Sequence, residues 1–328
     1  MFSCNLSCSA CRWPAAPVLN ARINGYDFCN NNALDSSMKP RISMAGSLGG
    51  GIREGGEIAY SEKELDAYFG SYIGMEGNPA AAVWFCENTP HTGAATLSGP
   101  LAPREAPAAW DRSFRQQRQV EMARWQTQQK IARIMVAARR AVLGARACGW
   151  EPYFRHHLFA PQGGEFKLCL FPLPTSSSGN RSWSSTYGAQ PALNPQSRFI
   201  ELCRGGGRFQ FIARLRRHMR PKVIVCLGAR HADDFLRGFE FSHVPGVEHI
   251  LQPADLPKTL RVHVDGDTAL VICPALAGAA GLSSDVLLDA MGGYIAQWLV
   301  PADFPPLLKP VRCGPGGEDA AGPQQMAA

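Results

Sequence analysis

Pro221-Lys222-Val223-Ile224-Val225-Cys226-Leu227-Gly228-Ala229 is the stretch on which the fold turns. An unbroken apolar run, closed by a glycine, is the pattern of a strand buried on both faces. On its amino side Ile212, Leu215 and Met219 recur at helical spacing, with Arg214, Arg216, Arg217 and Arg220 beside them. On its carboxyl side Ala229 to Phe239 reads as another helix. A helix on each side of a buried strand is the repeating unit of an α/β sheet.

The same alternation extends outward in both directions. Val83 to Cys86 and Phe166 to Phe171 read as further buried strands, the latter stopped by Pro172 and Pro174. Between them Trp110 to Leu143 reads as one long helix. Its apolar stripe is Ile131, Ile134, Ala138 and Val142, with Arg133, Arg139 and Arg140 pointing away. Thr175 to Pro195 is rich in Ser, Gly and Asn and reads as a long loop carrying Arg181, Trp183 and Tyr187. Leu260 to Val264 and Thr268 to Cys273 form a hairpin around Asp265-Gly266, and Leu282 to Leu299 closes the pattern as an amphipathic helix. The expected architecture is an α/β three-layer sandwich around a central, mostly parallel sheet. Ligands of such sheets sit beyond the carboxyl ends of the strands, so the loops after Cys86, Phe171 and Cys273 should meet at the site.

The expected domain spans residues 56–305. Residues 1–55 show no sustained period and 306–328 are Gly, Pro and Ala-rich, so both are expected to lie outside the core. The 328 residues hold no apolar run of the roughly 20 needed to span a bilayer, and the amino end lacks a signal-peptide pattern, which predicts a cytoplasmic protein. The net charge of +6 favours phosphate-bearing partners, but only 7 of the 33 basic residues are Lys, an arginine bias that weakens inference from charge. Most of the 11 Cys read as reduced, small apolar residues.

Four segments in order resemble the uracil-DNA glycosylase superfamily. Val83-Trp84-Phe85-Cys86-Glu87-Asn88-Thr89-Pro90 is similar to the family's strand and catalytic loop. Phe166 to Pro174 resembles the strand from which the family reads its base. Pro221 to Ala229 with Phe235 resembles the family's buried strand and helix, and Cys273-Pro274-Ala275 stands where the family has His-Pro-Ser. The resemblance implies an N-glycosidic bond hydrolase of DNA repair that flips a base into a pocket, stacks it on an aromatic ring and stabilises the departing anion.

The residues at those places depart from that chemistry. Thr89 stands at the acid or amide position and is no base, so the catalytic role would fall to Glu87 or Asn88. Cys169 stands at the base-reading Asn, and a thiol does not mimic an amide's donor and acceptor. Cys273 replaces the His, and Ala275 replaces the small polar residue. These departures point to altered or lost base excision. Candidate substitutes for base or nucleic-acid binding are His91, Phe171, Arg181, Trp183 and Tyr187, an aromatic and arginine set suited to single-stranded DNA or a nucleotide. The alternatives are a non-catalytic interaction module on the same fold and an iron–sulfur glycosylase. A cluster would draw on Cys8, Cys11, Cys169 and Cys203, though the last two are spaced too far apart for that pattern. No cofactor is the expectation. His156-His157, His243 and His249 do not form a metal signature.

Overall fold

In the computed structural model the described residues are 59–90, 97, 99–144, 148–174, 182–253 and 257–307. Candidate residues Cys8, Cys11, His91 and Arg181, and nearly all of the terminal segments, lie outside them. Among the described residues seven strands make one sheet: β1 (Met75–Gly77), β2 (Val83–Glu87), β3 (Glu165–Cys169), β4 (Val223–Leu227), β5 (Gly246–Leu251), β6 (Lys258–Asp265) and β7 (Thr268–Cys273). Their order across the sheet is β1-β3-β2-β4-β7-β6-β5. The four central strands β3, β2, β4 and β7 are mutually parallel. β1 runs antiparallel on one edge, and β6 and β5 extend the other edge as an antiparallel pair.

The central strands are buried along their whole length because both faces are covered. Alternation sends Trp84, Cys86, Phe166, Leu168, Ile224 and Cys226 to one face. There they pack against α1 (Glu62–Phe69), α6 (Gln196–Gly205), α7 (Gly207–Met219) and α8 (Ala232–Gly238). Val83, Phe85, Val223, Val225 and Val271 face the other way, onto α3 (Gln126–Leu143), α4 (Trp150–His156) and α9 (Asp285–Ile295). The result is helix, sheet, helix, with the expected strands at the centre. No described helix is long and apolar enough to cross a membrane.

Several expectations are corrected. The helix expected over 110–143 is two helices, α2 (Arg112–Met122) and α3. The break comes where Trp125 turns in to pack on Trp110 at 5.2 Å, while Gln129 donates to the freed carbonyls of Met122 and Ala123 at 3.4 and 3.0 Å. Arg139 does not point away. It is buried, donates to Pro305 O at 3.3 Å and lies over the Phe304 ring. The Ser/Gly/Asn segment contains α5 (Trp183–Tyr187), capped by the Ser182 side chain. The helix after β4 begins as a tight 3-10 turn, Ala229–His231, because Gly228 at φ +119° redirects the chain. The hairpin around Asp265-Gly266 stands as expected, with Asp265 paired to Thr268.

Candidate functional site

Strand register assembles the carboxyl edge. Glu87 is paired with Cys169 on one side and Leu227 on the other, and Leu227 is paired with Cys273. The row Cys169, Glu87, Leu227, Cys273 therefore crosses four adjacent parallel strands at one level. The β2–β3 ladder continues past the strands, with Leu170 N donating to Glu87 O and Phe171 N to Asn88 O, both at 2.9 Å.

Glu87 is buried and its carboxylate takes an ion pair from the Lys167 ammonium at 3.0 Å. Lys167 is buried too and also faces Glu76 at 3.8 Å. Burial alone would lower this ammonium, but the Glu76 and Glu87 carboxylates outweigh it and hold it above its ordinary value. Glu87 is therefore committed as a counter-ion rather than held ready as a base. The Asn88 Oδ1 atom is buried and accepts no hydrogen bond from the described residues. It is the open acceptor of the edge.

The thiols of this edge are buried and held protonated. Burial pushes Cys273 up to about 12, and its Sγ donates to Cys226 O at 3.4 Å. Burial likewise pushes the Cys169 and Cys203 thiols well above their ordinary value. A protonated, buried thiol is a poor nucleophile at neutral pH. Cys203 belongs to the core on the α1/α6/α7/α8 face, whereas alternation along β3 sends Cys169 to the other face with Lys167. Among the described residues no three His, Cys, Asp or Glu side chains group to hold a metal.

The aromatic candidates are core residues. Phe171 packs between Phe199 and Phe209, with centroids 6.0 and 5.6 Å away. Trp183 stacks on Phe199 at 5.0 Å and 27°, and its Nε1–H donates to Leu193 O at 2.8 Å. Tyr187 lies against Trp183 at 4.4 Å and is buried with it. The expectation of an open stacking loop at Trp183 and Tyr187 is corrected: the faces of these rings are taken by the protein's own side chains.

Sequence reading missed the residue that organises this edge. Arg208, in the first turn of α7, is fully buried. Its Nε donates to Leu170 O at 3.0 Å and an Nη to Cys169 O. The other Nη donates to Phe69 O, Ser71 O and Ile73 O at 3.3, 3.2 and 3.0 Å. One guanidinium thus ties the carboxyl end of β3 to the chain between α1 and β1. No carboxylate pairs with it among the described residues, and burial lowers its pKa. The only sequence signal is the Gly205-Gly206-Gly207 run before it. A Cβ on Gly206 would come within 2.1 Å of Asp66 Oδ1, and Gly207 N donates to that same oxygen at 2.7 Å, so glycine lets α7 start close against α1.

The helical arginines are largely committed as well. Arg216 pairs with Asp265 and lies 4.4 Å over the Phe241 ring, and Arg217 pairs with Glu240. Arg118 pairs with Glu121 at 2.7 Å, and Arg115 donates to the carbonyls of Phe154, Arg155 and Leu158 at the end of α4. A cavity of about 1060 Å³ lies elsewhere, between α2, the first turn of α3 and α4, and none of Glu87, Asn88, Cys169 and Cys273 lines it. No protein-family model matches the chain, and no curated protein matches it.

Proposed function

We propose that this is a uracil-DNA glycosylase-like domain whose carboxyl edge has lost base excision and which acts as a non-catalytic interaction module. The observation that carries the reading is the row Cys169, Glu87, Leu227, Cys273. The segments that resemble the family supply the four parallel strands, and the residues at their ends are two buried thiols, an ion-paired carboxylate and a leucine. Base excision needs a group to position water, an amide to read the base and a donor for the departing anion. A thiol held protonated by burial fills none of these roles, and the aromatic rings nearby are already stacked on one another.

A second reading, retained handling of a base, is favoured by one atom, Asn88 Oδ1, whose acceptor is unused among the described residues. The assay is strand cleavage after alkali on a uracil-containing single-stranded oligonucleotide. The expected result is no cleavage above the enzyme-free control for the wild type and Asn88→Ala alike. Turnover by the wild type that Asn88→Ala abolishes would overturn the proposal and establish the second reading.

A further inference from the structure

The groove between α2, the first turn of α3 and α4 has the chemistry of a ligand site, and the carboxyl edge does not account for it. Its volume, about 1060 Å³, lies near the upper end of the range of sites for small organic ligands. Its floor is aromatic. Trp110 is buried against Phe114, Trp125, Phe154 and Phe159. Trp150 lines the groove with one ring face covered by the Arg133 guanidinium 4.0 Å from its centroid. The indole is half-buried against the core and presents its remaining surface to the groove.

The rim is polar and mixed in charge, with Asp111 and Glu151 lining it beside three arginines, and it is only partly committed: Asp111 caps α2 by accepting from Phe114 N. Arg112 and Arg155 line the groove, and neither side chain has an ion pair or hydrogen bond to the described residues. The same holds for the amides of Gln116 and Gln119 on the exposed face of α2. This contrasts with Arg115 one turn along, whose guanidinium is spent on three carbonyls. The buried Trp110 Nε1–H is also without an acceptor among the described residues. A buried donor left unpaired costs free energy that an incoming acceptor recovers. The aromatic floor, the two free amides and two unpaired guanidinium groups, which with Arg115 outnumber the Asp111 and Glu151 carboxylates, suit a planar ring with polar edges and an anionic group.

We propose that this groove binds a free nucleoside monophosphate, the base lying against Trp150, the phosphate held by Arg112 and Arg155, and Gln116 and Gln119 meeting polar edges. The proposal is independent of the reading of the carboxyl edge, since the two regions share no residue, and it stands whether or not uracil is excised.

The test is calorimetric titration of the full chain with UMP and AMP, with uridine and inorganic phosphate as the two halves of the ligand. A nucleotide is expected to bind, with each half at least about tenfold weaker, because ring and phosphate are engaged together. Arg112→Ala with Arg155→Ala should weaken nucleotide binding about tenfold or more and leave uridine unaffected, as loss of charge-assisted contacts requires. Trp150→Leu should weaken nucleotide and uridine alike. Both arginines are at the surface, and a circular-dichroism melt matching the wild type establishes that the double variant is folded. Absence of nucleotide binding at millimolar concentration overturns the proposal. So does phosphate binding as tightly as the nucleotide, or affinity unchanged in the folded double variant. Binding that Asn88→Ala removes and the arginine variant leaves intact would assign the nucleotide to the carboxyl edge instead.

Discussion

Arg208 holds five backbone carbonyls from inside the protein without a carboxylate partner among the described residues, so its value lies in the acceptors it satisfies. Arg208→Leu fills a similar space but strands those carbonyls, and should cost on the order of 3 kcal/mol or more in urea unfolding. A change below roughly 0.5 kcal/mol, the scale of a surface substitution, would show that the guanidinium is not what ties β3 to the chain beside α1. Glu165 is the second buried polar residue with a measurable consequence. It accepts from Tyr153 Oη at 2.5 Å and from Phe159 N at 2.7 Å. Burial raises its carboxyl to about 7 against the ordinary 4.5, and the Tyr153 and Phe159 hydrogen bonds and two arginines only partly oppose this. Between those values the folded chain keeps a proton that the unfolded chain has lost. The penalty is therefore absent below about pH 4.5, grows as pH rises, and is constant above about pH 7. Unfolding free energy measured across that window should fall by roughly 3 kcal/mol in the wild type relative to Glu165→Gln. Parallel pH profiles for the two proteins would contradict the assignment.

At the scale of elements, α5 is the most instructive. Trp183→Ala removes a ring stacked on Phe199 and a hydrogen bond to Leu193, and should cost about 3–5 kcal/mol of stability. If Trp183→Ala left the unfolding midpoint unchanged, the ring would belong on an open surface after all. This helix was not legible in the sequence, because two aromatic residues in a Ser-rich turn carry no period. Whether they stack on a ligand or on Phe199 is decided by how α5 folds back on the next helix, α6, which no pattern within the loop encodes. The buried strands were legible for the opposite reason. Val223 to Leu227 is apolar throughout because both of its faces are covered, and a continuous run needs no partner to be recognised. β1 is three residues, Met-Glu-Gly, and owes its pairing to β3 beside it. The break between α2 and α3 was hidden because Trp125 and Gln129 both suit a helix, and only the position of Trp110 turns the chain there. In the candidate site, strand pattern alone placed the loops after Cys86, Phe171 and Cys273 at one edge, and the family resemblance added Glu87 and Cys169. Their protonation and pairing depend on Lys167 and on burial, which no local pattern encodes.

Over the whole molecule, the sheet brings four strand ends together in the way a binding edge requires, while the side chains there are sealed. Arg208 ties the end of β3 from one side, the Phe171, Trp183, Phe199 and Phe209 rings pack against one another, and Glu87 and Lys167 neutralise each other. The open groove with unpaired arginines lies instead between α2 and α4. If the carboxyl edge is closed, its thiols are shielded from reagent in the native protein. The direct measurement is alkylation with a small maleimide at neutral pH, quantified residue by residue by mass spectrometry. Half-buried Cys148 serves as the internal reference. The account predicts that Cys169 and Cys273 remain unmodified in the native protein while Cys148 reacts, and that both are modified once the chain is unfolded in urea. Modification of native Cys169 or Cys273 at the rate of Cys148 would contradict it, because the edge would then be open to solvent and to a base.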